Sequence, residues 1–103
     1  MARKKSPLFA PPSPGEVLRN HIVGDKRITQ DALADAMGVS RLTVNQLIND
    51  KRSITAEMAL RLARVLRTSP EFWLDLQRQV DLFEAHKALA AELETMPVLR
   101  RVA

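Results

Sequence analysis

Apolar positions recur three and four residues apart in five successive blocks between Ser13 and Met96. That is the spacing of one buried face of an α-helix. Val17, Leu18 and Ile22 mark the first block, Leu33 and Met37 the second, and Val44, Leu47 and Ile48 the third. Ala59, Leu62, Ala63 and Leu66 form the fourth. The fifth opens on Phe72 or Trp73 and continues through Leu76, Val80 and Phe83. A residue able to cap a helix stands before each block: Ser13, Thr29, Ser40, Thr55 and Ser69. Pro14 and Pro70 suit the first helical position, and Glu16 completes a capping box with Ser13. Gly24 to Arg27 reads as a loop, and Gly38 ends the second helix in a left-handed conformation open to glycine. The last helix is expected to run to about Glu94, ahead of Pro97. No strand is predicted. The pattern is that of an all-α chain of five helices, the last one long.

Blocks two and three are short and joined by a tight turn. Gln30 to Asn49 therefore reads as a helix-turn-helix, with Ala34 small where the two helices cross. Burying Val44, Leu47 and Ile48 leaves Arg41, Leu42, Thr43, Asn45, Gln46 and Asn49 facing outward. Arginine pairs bidentately with guanine edges, Asn and Gln pair with adenine edges, and Thr or a small apolar group meets the thymine methyl. No acidic residue lies between Ser40 and Asn49, so nothing within that segment repels phosphate. Gln30, at the start of the second helix, is placed to anchor the DNA backbone there. The basic loop after the third helix offers Lys51 and Arg52 to phosphates. The candidate DNA contacts are thus Gln30, Ser40, Arg41, Leu42, Thr43, Asn45, Gln46, Asn49, Lys51 and Arg52. Arg61, Arg64 and Arg67 make a basic edge on the fourth helix that reads as solvated or partner-facing.

Length and composition fit this reading. The 103 residues suffice for one domain with a modest core, and 16 basic against 12 acidic residues give a mild net charge of +4. Such an excess suits a binder whose cations are gathered on one face. With no cysteine, disulfides, thiolate zinc sites and thiol nucleophiles are excluded. No apolar run is long enough to span a membrane. Pro7, Pro11 and Pro12 break what would be a signal-peptide core, so a cytoplasmic protein is expected. His21 and His86 lack metal-ligand neighbours, and Asp31 and Asp35 read as solvated acids on one helical face. No enzyme, cofactor or metal site is expected.

Residues 1–12 read as an extended, mobile tail, 13–80 as the DNA-binding domain, and 81–103 as a helical extension and terminus. The basic cluster Arg3, Lys4 and Lys5 either touches phosphates or a minor groove, or makes no specific contact. Beyond the core stripe a second one follows: Leu82, Ala85, Leu89, Leu93 and Met96. An apolar stripe of that length requires cover. Pairing with a second copy would bury it and create the two-fold axis that an inverted-repeat operator requires. Folding back on its own bundle and binding a different protein are the alternatives.

Gln30 to Asn49 resembles the Cro/cI-type helix-turn-helix of phage repressors in its opening Gln, its Ala-x-x-x-Gly and its closing Asn. The segment Ile54 to Gln77, ITAEMALRLARVLRTSPEFWLDLQ, is similar to the HigA family of antitoxins, which carry ITA-x-x-ALRLA followed by TS-x-EFWL-x-LQ. SPGEVL, from Ser13 to Leu18, matches that family's opening helix. The likeness covers residues 13–80. Arg67 and Asp50 depart from it, each standing where the family usually has or often has Gly, so the helix ending at Arg67 is less favourably capped. The resemblance implies a repressor-like fold and the antitoxin of a HigB–HigA type pair. It would bind a toxin that cleaves messenger RNA and repress its own operon. A stand-alone regulator with no toxin would share every DNA-facing residue, and a protein-interaction module that no longer binds DNA is the other alternative.

Overall fold

All five expected caps close helix N-termini in the computed structural model, which describes residues 10–100. Side-chain oxygens of Ser13, Thr29, Ser40, Thr55 and Ser69 accept from the amides of Glu16, Ala32, Thr43, Met58 and Phe72. Each bond satisfies one otherwise unpartnered amide, worth ~1 kcal/mol per cap. The helices are α1 (Pro14–Gly24), α2 (Gln30–Met37), α3 (Arg41–Ile48), α4 (Ala56–Leu66) and α5 (Pro70–Thr95). Gly38 ends α2 at φ 73°, as its place in the sequence predicts. The loop between α1 and α2 begins later than expected, because Gly24 stays helical. Asp25 donates its amide to Ile22 O at 3.4 Å, which closes the last turn. Its carboxylate then accepts from the Arg27 amide and guanidinium, and these bonds hold it below the usual carboxylate range.

Leu18, Leu33, Val44, Leu47, Leu62 and Trp73 are the large side chains buried completely. They come from all five helices, so one core holds the whole bundle. Trp73, rather than the half-exposed Phe72, begins the inward stripe of α5. Its Nε1 donates to Thr68 Oγ1 at 2.7 Å, which satisfies the one polar atom that burial would otherwise strand. His21 packs beside the indole, with ring centroids 5.9 Å apart. Where α1 meets the end of α3, a Cβ on Gly15 would lie 2.6 Å from Ile48 O and 2.7 Å from Leu47 O. Only glycine permits that approach.

Polar ties lock the helices at their ends. Gln77 Oε1 accepts from the Ile54 amide at 2.8 Å, joining α5 to the loop before α4. Arg61 was expected on a basic edge, solvated or partner-facing. Instead it donates to Met37 O at 2.6 Å and closes the C-terminus of α2, with Glu57 on its other side. Asp50 accepts from Ser13 Oγ at 2.7 Å and from the Gly15 amide at 3.0 Å, so the loop after α3 caps α1. Asp50 and Arg67 are the two non-glycine residues with positive φ among the described residues, at 56° and 58°.

The 26 residues of α5 extend about 39 Å at 1.5 Å per residue. Trp73 and Leu76 are buried, and Val80 and Phe83 half-buried. Leu82, Ala85, Leu89, Leu93 and Met96 are exposed. At 3.6 residues per turn, this second stripe is centred about 160° around the helix from the first. It faces away from its own bundle, so a straight α5 cannot fold it back. No helix among the described residues is long and apolar enough to cross a membrane.

Candidate nucleic-acid interface

Three sides of α3 have three fates. Val44, Leu47 and Ile48 are buried against the core. Arg41 and Asn45, one turn apart, form an exposed row. Leu42, Gln46 and Asn49 form a second row beside it, and Leu42 is 64% exposed. Ser40 caps the helix through the Thr43 amide, and its hydroxyl lies 2.9 Å from Thr43 Oγ1. That bond aligns the half-buried Thr43 with the start of the helix. Lys51 and Arg52 are exposed beyond Asn49 and Asp50.

The structure joins these side chains into local networks. Arg52 Nε and Nη2 both donate to Gln46 Oε1, at 3.1 and 2.8 Å. The loop cation is thereby drawn alongside the α3 amide. Asn49 Nδ2 donates to Asn45 O at 2.9 Å, closing the last turn of α3 with a side chain. Arg41 reaches back to α2: Nε donates to Gln30 Oε1 at 3.3 Å and Nη1 to Asp31 Oδ1 at 2.9 Å.

That last contact brings to this face an acid that its own segment lacks. The segment from Ser40 to Asn49 contains none, but Asp31 enters from α2. Asp31 was read as a solvated acid on one helix face with Asp35, and sequence reasoning missed its contact with Arg41. The available signal was an acid at the second position of α2 and a cation at the first position of α3. Only the crossing of the two helices decides whether they meet.

The residues expected to join two copies, Leu82, Ala85, Leu89 and Leu93, all lie on the outward stripe of α5. Arg3, Lys4 and Lys5 lie outside the described residues. Among the described residues no three metal-type side chains gather into a potential metal site.

A tight two-helix unit with one helix presenting Arg, Asn and Gln beside a basic loop defines a helix-turn-helix protein of the repressor kind. A helix-turn-helix family model matches residues 24–73. Antitoxin HigA-1 of Vibrio cholerae is 44% identical over 82 residues, covering 80% of this chain and 77% of that protein. A HigA-family addiction-module antidote protein from Coxiella burnetii superposes with a TM-score of 0.82 at 34% identity, over 89% of this chain and 100% of the other. The Pseudomonas aeruginosa antitoxin HigA, solved with the higBA promoter, superposes with a TM-score of 0.78 at 37% identity, over 87% and 99%. The chain belongs to the HigA family of antitoxins and carries the Cro/cI-type helix-turn-helix.

Proposed function

We propose that this chain is the antitoxin of a HigB–HigA type pair. As a homodimer it binds an inverted-repeat operator, represses its own operon and neutralises an mRNA-cleaving toxin. The observation that carries the DNA-binding part is the exposed face of α3, with Arg41, Asn45 and Gln46 on adjacent rows and Lys51 and Arg52 at its end. Arg41 reads guanine, while Asn45 and Gln46 read neighbouring bases and Leu42 and Thr43 meet thymine methyls. Gln30, Ser40, Asn49, Lys51 and Arg52 hold phosphates beside them. Residues 13–80 form the reading domain, and 81–103 supply the extension that joins two copies. Two α3 helices then enter successive major grooves about 34 Å apart. The Pseudomonas relative solved with a promoter supports this docking.

Gel-shift titration separates the roles. Arg41→Ala is expected to cost ~1–3 kcal/mol on the operator and relax specificity at one position per half-site. Lys51→Ala weakens operator and scrambled DNA alike and flattens the salt dependence. Unchanged operator affinity for Arg41→Ala would remove the base-reading assignment. Toxin neutralisation is tested by co-expression with the adjacent open reading frame. Growth arrested by the neighbour alone should be rescued. A harmless neighbour would leave a stand-alone regulator.

A further inference from the structure

We infer that Asp31 is a specificity-determining residue of the DNA-reading surface, acting through Arg41. This rests on the DNA-binding reading of α3 given above. Asp31 accepts from Arg41 Nη1 at 2.9 Å, and Gln30 accepts from Arg41 Nε at 3.3 Å. Both charged side chains are well exposed, 59% for Arg41 and 72% for Asp31. An ion pair so exposed contributes little to folding. Asp31, in the first turn of α2, favours that helix end whether or not it meets Arg41, so folding does not explain the contact itself.

The donor inventory shows what the pair does accomplish. A guanidinium has five N–H groups, and these two contacts occupy two. Three remain, one on Nη1 and two on Nη2, enough for a bidentate contact with guanine O6 and N7. Asp31 and Gln30 thus hold the group and leave enough donors free for base reading.

A phosphate makes a different demand. With Asp31 on the guanidinium, a backbone phosphate meets a neutralised cation with a carboxylate beside it, whereas guanine O6 and N7 carry no net charge. While the pair is intact, Arg41 brings no net charge and gains little from counterion release. Arbitrary sequence therefore gains little from Arg41, and a correctly placed guanine gains a full bidentate contact. Asp31 lowers non-specific binding and confines Arg41 to base recognition.

The test uses the full chain, a duplex that the wild type enriches from a random pool, its single-base variants and a scrambled duplex of equal composition. Fluorescence anisotropy across a salt series gives the affinities. Asp31→Asn should tighten scrambled binding several-fold and steepen its salt slope by about 0.9, one added phosphate contact. Discrimination should fall about tenfold at one base pair per half-site, the position that Arg41→Ala also relaxes, and stay unchanged elsewhere. Asp31→Glu should restore it. In an Arg41→Ala background, Asp31→Asn should leave discrimination as it was. Equal effects in both backgrounds would make Asp31 a bare charge and overturn the inference, as would an unchanged specificity ratio. A wild type that enriches no sequence would overturn the DNA-binding reading itself. Circular dichroism melts of each variant confirm a folded chain.

Discussion

The two halves of α5 carry similar apolar side chains in opposite surroundings. From Trp73 to Val80 the stripe is pressed against α1 and α4, and Trp73 is fully buried. From Leu82 to Met96 the stripe has rotated to the other side, where Leu89 is 40% and Leu82 59% exposed. The first half of α5 closes the core of a single chain, and its second half carries an apolar stripe that this chain leaves exposed. Substitutions of equal severity in the two halves should consequently fail in different assays.

The largest effect belongs to the inner half. Trp73→Ala empties the centre of the bundle and strands Thr68 Oγ1, which now accepts from the indole at 2.7 Å. Core truncations of this size cost ~3–5 kcal/mol, a large part of the stability of a domain this small. Urea denaturation followed by helical circular dichroism should show the midpoint falling sharply or the native state lost. A shift within ~0.5 kcal/mol, the range of surface substitutions, would mean that α5 does not hold the core.

Leu89→Glu combined with Leu93→Glu is as severe chemically, yet it should leave the monomer folded. If the outer stripe joins two copies, light scattering will report a monomer. Affinity for a full inverted repeat should then fall steeply, because the two half-sites are no longer bound together, while single half-site binding persists weakly. The rotation of about 160° between stripes argues against folding back and leaves a partner as the cover. A double mutant that stays dimeric would move the interface to Phe72 to Val80. A double mutant that stays dimeric but no longer binds the toxin would assign the stripe to the toxin.

These halves were largely legible in the sequence, because period and caps are local. Ser13, Thr29, Ser40, Thr55 and Ser69 act within three residues of themselves, and Leu82 to Met96 keep a helical spacing whatever they touch. The contacts that orient the site were not legible. Asp31 meets Arg41 across ten positions, Arg61 reaches Met37 across 24, and Asp50 reaches Ser13 across 37. Each depends on the angle at which two helices cross, and no spacing rule encodes it. The same limit applies to Asp50 and Arg67. Both departures from glycine were visible, and so was the poorer cap at Arg67, but the partners that the Asp50 side chain finds on α1 were not.

The smallest prediction turns on that pair and keeps to the bundle that the inner half of α5 closes. Arg67 ends α4 at φ 58°, with its amide on Ala63 O, and the Thr68 amide also bonds Ala63 O at 3.1 Å. A left-handed non-glycine residue costs roughly 1–2 kcal/mol, and glycine removes that strain while adding some unfolded-state entropy. Arg67→Gly should thus stabilise the chain by about 0.5–1 kcal/mol. Asp50 at φ 56° gives the opposite result. Aspartate tolerates this region better than most residues, so glycine relieves less strain there. Glycine also removes the carboxylate that accepts from Ser13 and the Gly15 amide, a loss of about 0.5–2 kcal/mol by analogy with helix caps. Asp50→Gly should be neutral or destabilising in the same urea titration, and neither change should alter the oligomeric state. Equal stabilisation by both would show that the Asp50 bonds to α1 contribute nothing and that backbone strain alone governs the two sites.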